Sequence, residues 1–236
     1  METAEDALGK LTGGYVLDVA TGGGGFVNFL MENLKDYLEI TGIDCNEKPL
    51  EAARKSYSQA NIHFMRMDAA RIDFPDSRFD TVCISNSLHH MSDLPRVFTE
   101  MKRVCKPGGH FIIAEMYRDG QSETQLTHVL LHHWWAAVDT AEGIIHHETF
   151  TRQQVVDITH GLSLQHLDYY ELKDLDLDPK EPELIHELEG IIDRYLQRTE
   201  NLDNGVELHQ QGEELHQRVH HVGFHGATSL LVIGKR

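Results

Sequence analysis

Apolar runs without alternation recur along the first half of the chain: Tyr15–Val19, Ile40–Asp44, Ile62–Met67, Thr81–Ser85 and His110–Glu115, each bounded by turn residues. Such runs suit strands covered on both faces, as in a parallel sheet. Between them the apolar positions fall at helical spacing. Phe26-Val27, Phe29-Leu30 and Leu34 make one stripe; Leu50, Ala52-Ala53 and Tyr57 a second; Leu94, Val97-Phe98, Met101 and Val104-Cys105 a third. Strand alternating with helix predicts right-handed crossovers and a doubly wound, parallel α/β sheet. Lys106-Pro107-Gly108-Gly109 is expected to stop the third helix and start the next strand, because proline cannot extend a helix and glycine permits the turn.

After Glu115 the rhythm changes. Glu123–Ala141 carries a long helical pattern, Thr151–His160 a shorter one with Thr151 as N-cap, and Ser163–Leu172 alternates as a strand does. A polar insertion, 173–226, predicts helices near Pro182–Arg198 and Gly205–His221, and Thr228–Ile233 reads as a final strand. The expected organisation is one domain over 1–236, with lid helices in 120–160 and a helical insertion in 173–226.

The chemistry starts at the first turn. Val16-Leu17-Asp18-Val19-Ala20-Thr21-Gly22-Gly23-Gly24-Gly25 predicts a buried strand running into a glycine turn, and the next strand ends in the carboxylate Asp44. This is how doubly wound sheets hold an adenosine cofactor: glycines let the backbone approach the ligand, and the second-strand acid accepts from ribose hydroxyls. A pyrophosphate binder wants G-x-G-x-x-G, and counting from Gly22 puts Val27 at the third glycine. Asp18, an acid inside the first strand, would repel a pyrophosphate but attract an ammonium or sulfonium centre. The choice falls on S-adenosyl-L-methionine over a dinucleotide.

Composition narrows the partners. With 236 residues the chain can bury one good core, and 40% hydrophobic with 25% charged residues is ordinary for a globular protein. A net charge of −17 argues against nucleic acid and anionic membrane surfaces. No apolar run approaches the roughly 20 residues that span a bilayer, and no signal peptide is visible. Cys45, Cys83 and Cys105 lack C-x-x-C spacing, so reduced thiols and a cytoplasmic setting are expected. Seventeen histidines stand out.

Four stretches now carry a resemblance: Val16–Gly24; Gly42-Ile43-Asp44; Met67-Asp68-Ala69 with Phe74-Pro75-Asp76-Ser77-Arg78-Phe79-Asp80; and Arg103-Val104-Cys105-Lys106-Pro107-Gly108-Gly109, together with Ser87-Leu88-His89-His90. In this order the chain resembles the class I S-adenosylmethionine-dependent methyltransferases, in particular the small-molecule type 11 branch that includes the ubiquinone/menaquinone-pathway C-methyltransferases. Ala20 stands where the family usually has its first glycine. The resemblance implies a seven-stranded, mostly parallel Rossmann-like sheet whose last strand is antiparallel. It also implies roles. Asp18 holds the cofactor's amino-acid end; the backbone of Ala20, Thr21, Gly22 and Gly24 wraps the methionine and ribose; Asp44 binds the ribose hydroxyls and Cys45 packs on the adenine. Asp68 accepts from the adenine amino group, Ala69 donates its N–H to a ring nitrogen, and Asn86 and Ser87 line the place where the methyl is presented.

Methyl transfer needs alignment above all, and some acceptors also need a proton removed, for which histidine is suited near neutrality. His89, just past the fourth strand, is the candidate catalytic or acceptor-lining residue. Asp68 as a helix N-cap and Asn86 as a turn former are the plainer readings. His128 and His132 share a helix face beside Trp134 and Trp135, which suits a lid with aromatic walls; His216 and His220 repeat the spacing. Two such pairs facing each other could bind a transition metal, but no dense Cys/His signature supports it, and no metal ligand is assigned. The expected partner is a small-molecule acceptor, with 173–226 able to pair two subunits or to close one pocket. The rival class is a non-catalytic cofactor binder whose late histidine helices sense metal.

Overall fold

The computed structural model describes residues 2–236 and divides into two compact units. The first comprises residues 2–115, Val156–Glu171 and Leu230–Arg236, the second Met116–Val155 and Leu172–Ser229.

The first unit is built on seven strands: β1 (Tyr15–Val19), β2 (Glu39–Asp44), β3 (Ile62–Arg66), β4 (Phe79–Ser85), β5 (Cys105–Met116), β6 (Gln165–Leu172) and β7 (Ser229–Lys235). Their order is β3-β2-β1-β4-β5-β7-β6. The pairs β1–β2, β2–β3, β1–β4 and β4–β5 are parallel. Gly108 donates to Arg236 O and Arg236 to Gly109 O, while Tyr117 donates to Thr228 O, so β7 runs antiparallel to β5. Val16, Leu17 and Val19 of β1 are fully buried, as the unalternated apolar run requires. The strand order reverses between β1 and β4, and ligands of open α/β sheets bind beyond the carboxyl ends of strands at such a switch point. The helices α1 (Ala4–Leu8), α2 (Gly25–Asn33), α3 (Glu47–Ser56) and α4 (Leu94–Val104) connect or precede these strands. At five residues, α1 is too short for periodicity to betray; its Thr3–Asp6 capping box holds it.

The Phe74–Asp80 and Arg103–Gly109 stretches prove to be one structural clamp. Arg103 bonds the carbonyls of Ile72 and Phe74, and its guanidinium pairs with Asp76 and Glu100. Lys106 pairs with Asp80 at 2.6 Å, and Asp80 also accepts from Tyr15 N–H. The Lys-Pro-Gly-Gly segment lies where α4 has ended and β5 begins, as expected. It forms the irregular entry to β5, with a register shift between Phe79 and Thr81. A Cβ on Gly109 would lie 2.8 Å from Asp80 O, so the two strands close on it.

The second unit is mainly α5 (Glu123–Ala141), α7 (Pro182–Thr199) and α8 (Gly205–Val222); α6 (Arg152–Gly161) crosses the boundary, with the expected Thr151 cap bonded to Gln154 N–H. Leu131, Trp134 and Val138 of α5, Ile185, Leu188, Ile192 and Leu196 of α7, and Leu208 and Val219 of α8 make one buried core. Trp134 belongs to this core, and its Nε1 donates to Leu208 O at 2.8 Å. Trp135 packs at a tilt against Tyr195 with ring centroids 5.9 Å apart. Among the described residues, no helix is long and apolar enough to cross a membrane.

Candidate functional site

Every predicted site residue lies in the first unit, at or just beyond the carboxyl ends of β1, β2, β3 and β4. Asp18 is 1% exposed. Its Oδ2 accepts from the Thr21 hydroxyl at 2.6 Å, while Oδ1 is buried without a hydrogen-bond partner. Burial pushes its carboxyl up to about 7, against the Thr21 bond and with a small addition from the Asp44 charge. An orphaned carboxylate oxygen in the interior is costly and asks for a donor or a cation.

The loop beyond β1 is shaped by backbone conformations that favour glycine. Gly22 and Gly24 have φ of +53° and +85°, and Ala20, at +55°, adopts a left-handed conformation at a cost that glycine would avoid. Gly24 ends the loop as the N-cap of α2 and lies against Tyr57, whose hydroxyl donates to Gly24 O at 2.6 Å. A Cβ built on Gly22, Gly23 or Gly25 would meet nothing within 4 Å, so the loop's outer side has room for a ligand. Gly42 is constrained differently. A Cβ there would sit 2.7 Å from the Thr21 hydroxyl and 2.8 Å from the Phe64 ring, which explains the glycine of Gly42-Ile43-Asp44.

Asp44 joins the two loops: Oδ2 accepts from Gly22 N–H at 2.9 Å and Oδ1 from Asn46 N–H at 2.8 Å. Each oxygen keeps lone-pair capacity for a further donor. Cys45 is exposed next to it, and its thiol is raised by burial and by the Asp44 charge. Asp68 is no helix cap. Its Oδ1 accepts from Ala70 N–H in a tight turn that carries Ala69, closed by Arg71 N–H donating to Asp68 O.

After β4, Asn86 has φ +42° and donates its N–H to Ala114 O, as the turn-former reading anticipates. Ser87 is buried, its hydroxyl directed to Ser85 O at 2.7 Å and Ala20 O at 3.4 Å, which ties this turn to the glycine loop. His89 is fully buried within a 3-10 turn, Leu88–His90. Its Nδ1 lies 2.5 Å from Glu115 Oε1, and Glu115 Oε2 accepts from Ser87 and Leu88 N–H. Glu115 is the residue that the sequence reading passed over. Its signal was the one that singled out Asp18: an acid inside an otherwise apolar run, one residue before the strand ends.

The second unit corrects one expectation. The pairs His128/His132 and His216/His220 do not face each other: His128 accepts from Ala227 N–H, whereas His216 and His220 turn toward Glu189 of α7. A cleft of about 650 Å³ in this unit is lined by His133, Trp134 and Arg218 among others and includes none of the predicted cofactor residues.

Taken together, an unpartnered buried acid, an open glycine loop and a carboxylate held by two amides fit a nucleoside with a cationic amino-acid tail. The family described as Methyltransferase domain matches residues 17–113. A demethylmenaquinone methyltransferase of Bacteroides fragilis is 31% identical over 105 residues, 43% of this chain and 42% of that protein. A fatty-acid O-methyltransferase of Mycolicibacterium smegmatis is 31% identical over 109 residues, 46% of this chain and 39% of that protein. The matches thus span less than half the length of these relatives. In fold, the chain is similar to the methyltransferase solved in complex with the Haloferax volcanii Trm112 activator, with a TM-score of 0.60, 20% identity, and 99% of this chain and 88% of that chain covered. Residues 17–113 are thus similar to the methyltransferase domain of that family, on a fold shared with a solved methyltransferase.

Proposed function

We propose that this protein transfers a methyl group from S-adenosyl-L-methionine to a small-molecule acceptor by in-line displacement. The observation that carries the reading is the buried, unpartnered Oδ1 of Asp18 beside an open glycine loop. A dinucleotide would bring a second negative charge to it; an amino group or sulfonium removes the penalty.

When bound, the cofactor supplies a methyl group already activated by a sulfonium leaving group. The chain's own residues bind and orient. Asp18 takes the ammonium end, the Ala20–Gly24 backbone follows the methionine and ribose, and Asp44 accepts from the ribose hydroxyls with the lone pairs its two amides leave. Cys45 packs on the adenine, Asp68 accepts from its amino group and Ala69 donates to a ring nitrogen. Asn86 and Ser87 set the turn near the methyl, Ser87 through its backbone, since its hydroxyl is committed to two carbonyls. His89 orients the acceptor or receives its proton, and Glu115 fixes the ring from behind. Such alignment is worth roughly 7–11 kcal/mol in well-positioned systems.

Two matched relatives are named for a quinone and a fatty acid. Only the class carries over, a small organic molecule, and we assign its selection to 120–160 and 173–226, which lie outside the matched segment. The test is release of S-adenosylhomocysteine across a panel of quinols, phenols, carboxylic acids, amines and thiols. Turnover with at least one class, reduced in Asp44→Ala at limiting cofactor, is expected. Tight cofactor binding with no turnover on any class would contradict the reading.

A further inference from the structure

Three side chains in the second unit converge on one point that the methyltransferase reading leaves unused. On α8, His216 and His220 sit one helical turn apart with ring centroids 5.2 Å apart. Both direct Nε2 at Oε1 of Glu189 on α7, His220 at 2.8 Å and His216 at 3.9 Å. His186, one turn earlier on α7, brings Nδ1 to 3.6 Å from the other Glu189 oxygen. The ligand atoms of Glu189, His216 and His220 all lie within 4.8 Å of one another.

We propose that Glu189, His216 and His220 form a binding site for a divalent first-row transition ion of the zinc class, with His186 or water as the fourth ligand. Tetrahedral zinc with bonds of about 2.0–2.1 Å sets its ligand atoms about 3.3 Å apart. The two His–Glu distances, 2.8 and 3.9 Å, bracket that value, so small side-chain rotations close the site. Imidazole and carboxylate are the donors that such ions take, and two histidines at i, i+4 on one helix face are a recurrent way to supply them. The platform is rigid. Leu188 and Ile192 of α7 and Val219 of α8 are buried in the core behind it. The two helices also approach so closely that a Cβ on Gly212 of α8 would lie 2.5 Å from the Leu196 side chain of α7. Ligands held on packed helices need little reorganisation to bind. The side chains are 29–47% exposed, so an ion can enter from solvent. The rival account is a plain His220–Glu189 ion pair, and the experiment separates the two.

The full chain, made without a histidine tag and stripped with chelator, is titrated with zinc in competition with a chromophoric chelator, and its thermal unfolding is followed with and without zinc. The expected result is that His216→Ala/His220→Ala binds one zinc fewer per chain than the native protein. Glu189→Gln should weaken that ion by more than the roughly 10–100-fold typical of second-shell losses. Zinc should raise the melting temperature of the native chain more than that of either variant, because the ion joins α7 to α8. His209→Ala/His221→Ala, on the same helix, should keep the native stoichiometry. Should the double variant misfold, His220→Gln alone must lower the affinity. No zinc bound by the native chain, or unchanged binding in the Glu189 and His216/His220 variants, would overturn the proposal and leave the ion pair.

Discussion

Glu115 holds His89: the two fully buried side chains meet at 2.5 Å, Oε1 to Nδ1, while the second Glu115 oxygen takes the amides of Ser87 and Leu88. One carboxylate at the end of β5 thereby sets both the backbone and the imidazole of the turn after β4. Removing one partner of such a cluster leaves buried donors unsatisfied. Glu115→Gln should cost roughly 1–3 kcal/mol of stability, and Glu115→Ala roughly 3–5 kcal/mol. As a positioning residue, Glu115 should affect kcat far more than cofactor affinity. Calorimetry and steady-state kinetics on Glu115→Gln check this; an unchanged melting temperature or an effect on cofactor affinity alone would contradict it.

Asp18 makes stability depend on pH in an unusual direction. Its folded carboxyl titrates at about 7, above its ordinary value of 3.8. Between those values the folded state binds more protons than the unfolded one, so the Asp18 contribution to stability falls as pH rises from about 4 to about 7. Asp18→Asn keeps an acceptor for Thr21 and removes the ionisation. Without cofactor, it should be more stable than the native chain at pH 8, by on the order of 4 kcal/mol, and the difference should vanish below pH 4. Denaturant unfolding at the two pH values measures it. Equal stability at pH 8 would show that the carboxylate is not under strain.

Asp44→Ala removes the acceptor shared by Gly22 and Asn46 together with the expected ribose contacts. Cofactor binding should weaken by at least about 1.5 kcal/mol, the loss of charge-assisted hydrogen bonds. Unchanged affinity by titration calorimetry would contradict the ribose role.

Gly42→Ala places a methyl group 2.7 Å from the Thr21 hydroxyl and against the Phe64 ring. Overpacking of this kind costs about 1–3 kcal/mol. Because Thr21 also bonds Asp18, the variant should lose cofactor affinity along with stability. A variant as stable as the native chain would mean that the β2–loop contact is looser than described.

The strands and long helices were legible because burial on both faces and amphipathic spacing leave direct marks: Glu123–Ala141 was bounded to the residue. The acids were legible as well, since Asp18 stands inside an apolar strand and Asp44 ends one. Contacts between distant segments were not. Nothing in the local pattern says that Arg103 reaches Asp76, that Ser87 spends its hydroxyl on Ala20 O, or that Glu189 rather than His128 meets His216 and His220. Those pairings depend on how packed elements bring side chains together, which sequence spacing does not encode.

The central claim is that the loops after β1 and β2 bind a cationic nucleoside. Titration calorimetry of the purified chain with S-adenosyl-L-methionine and, separately, with NAD tests it most directly. The expected result is one S-adenosyl-L-methionine per chain, weakened in both Asp18→Asn and Asp44→Ala, and no measurable NAD binding. Binding of NAD, or S-adenosyl-L-methionine affinity indifferent to both substitutions, would contradict it.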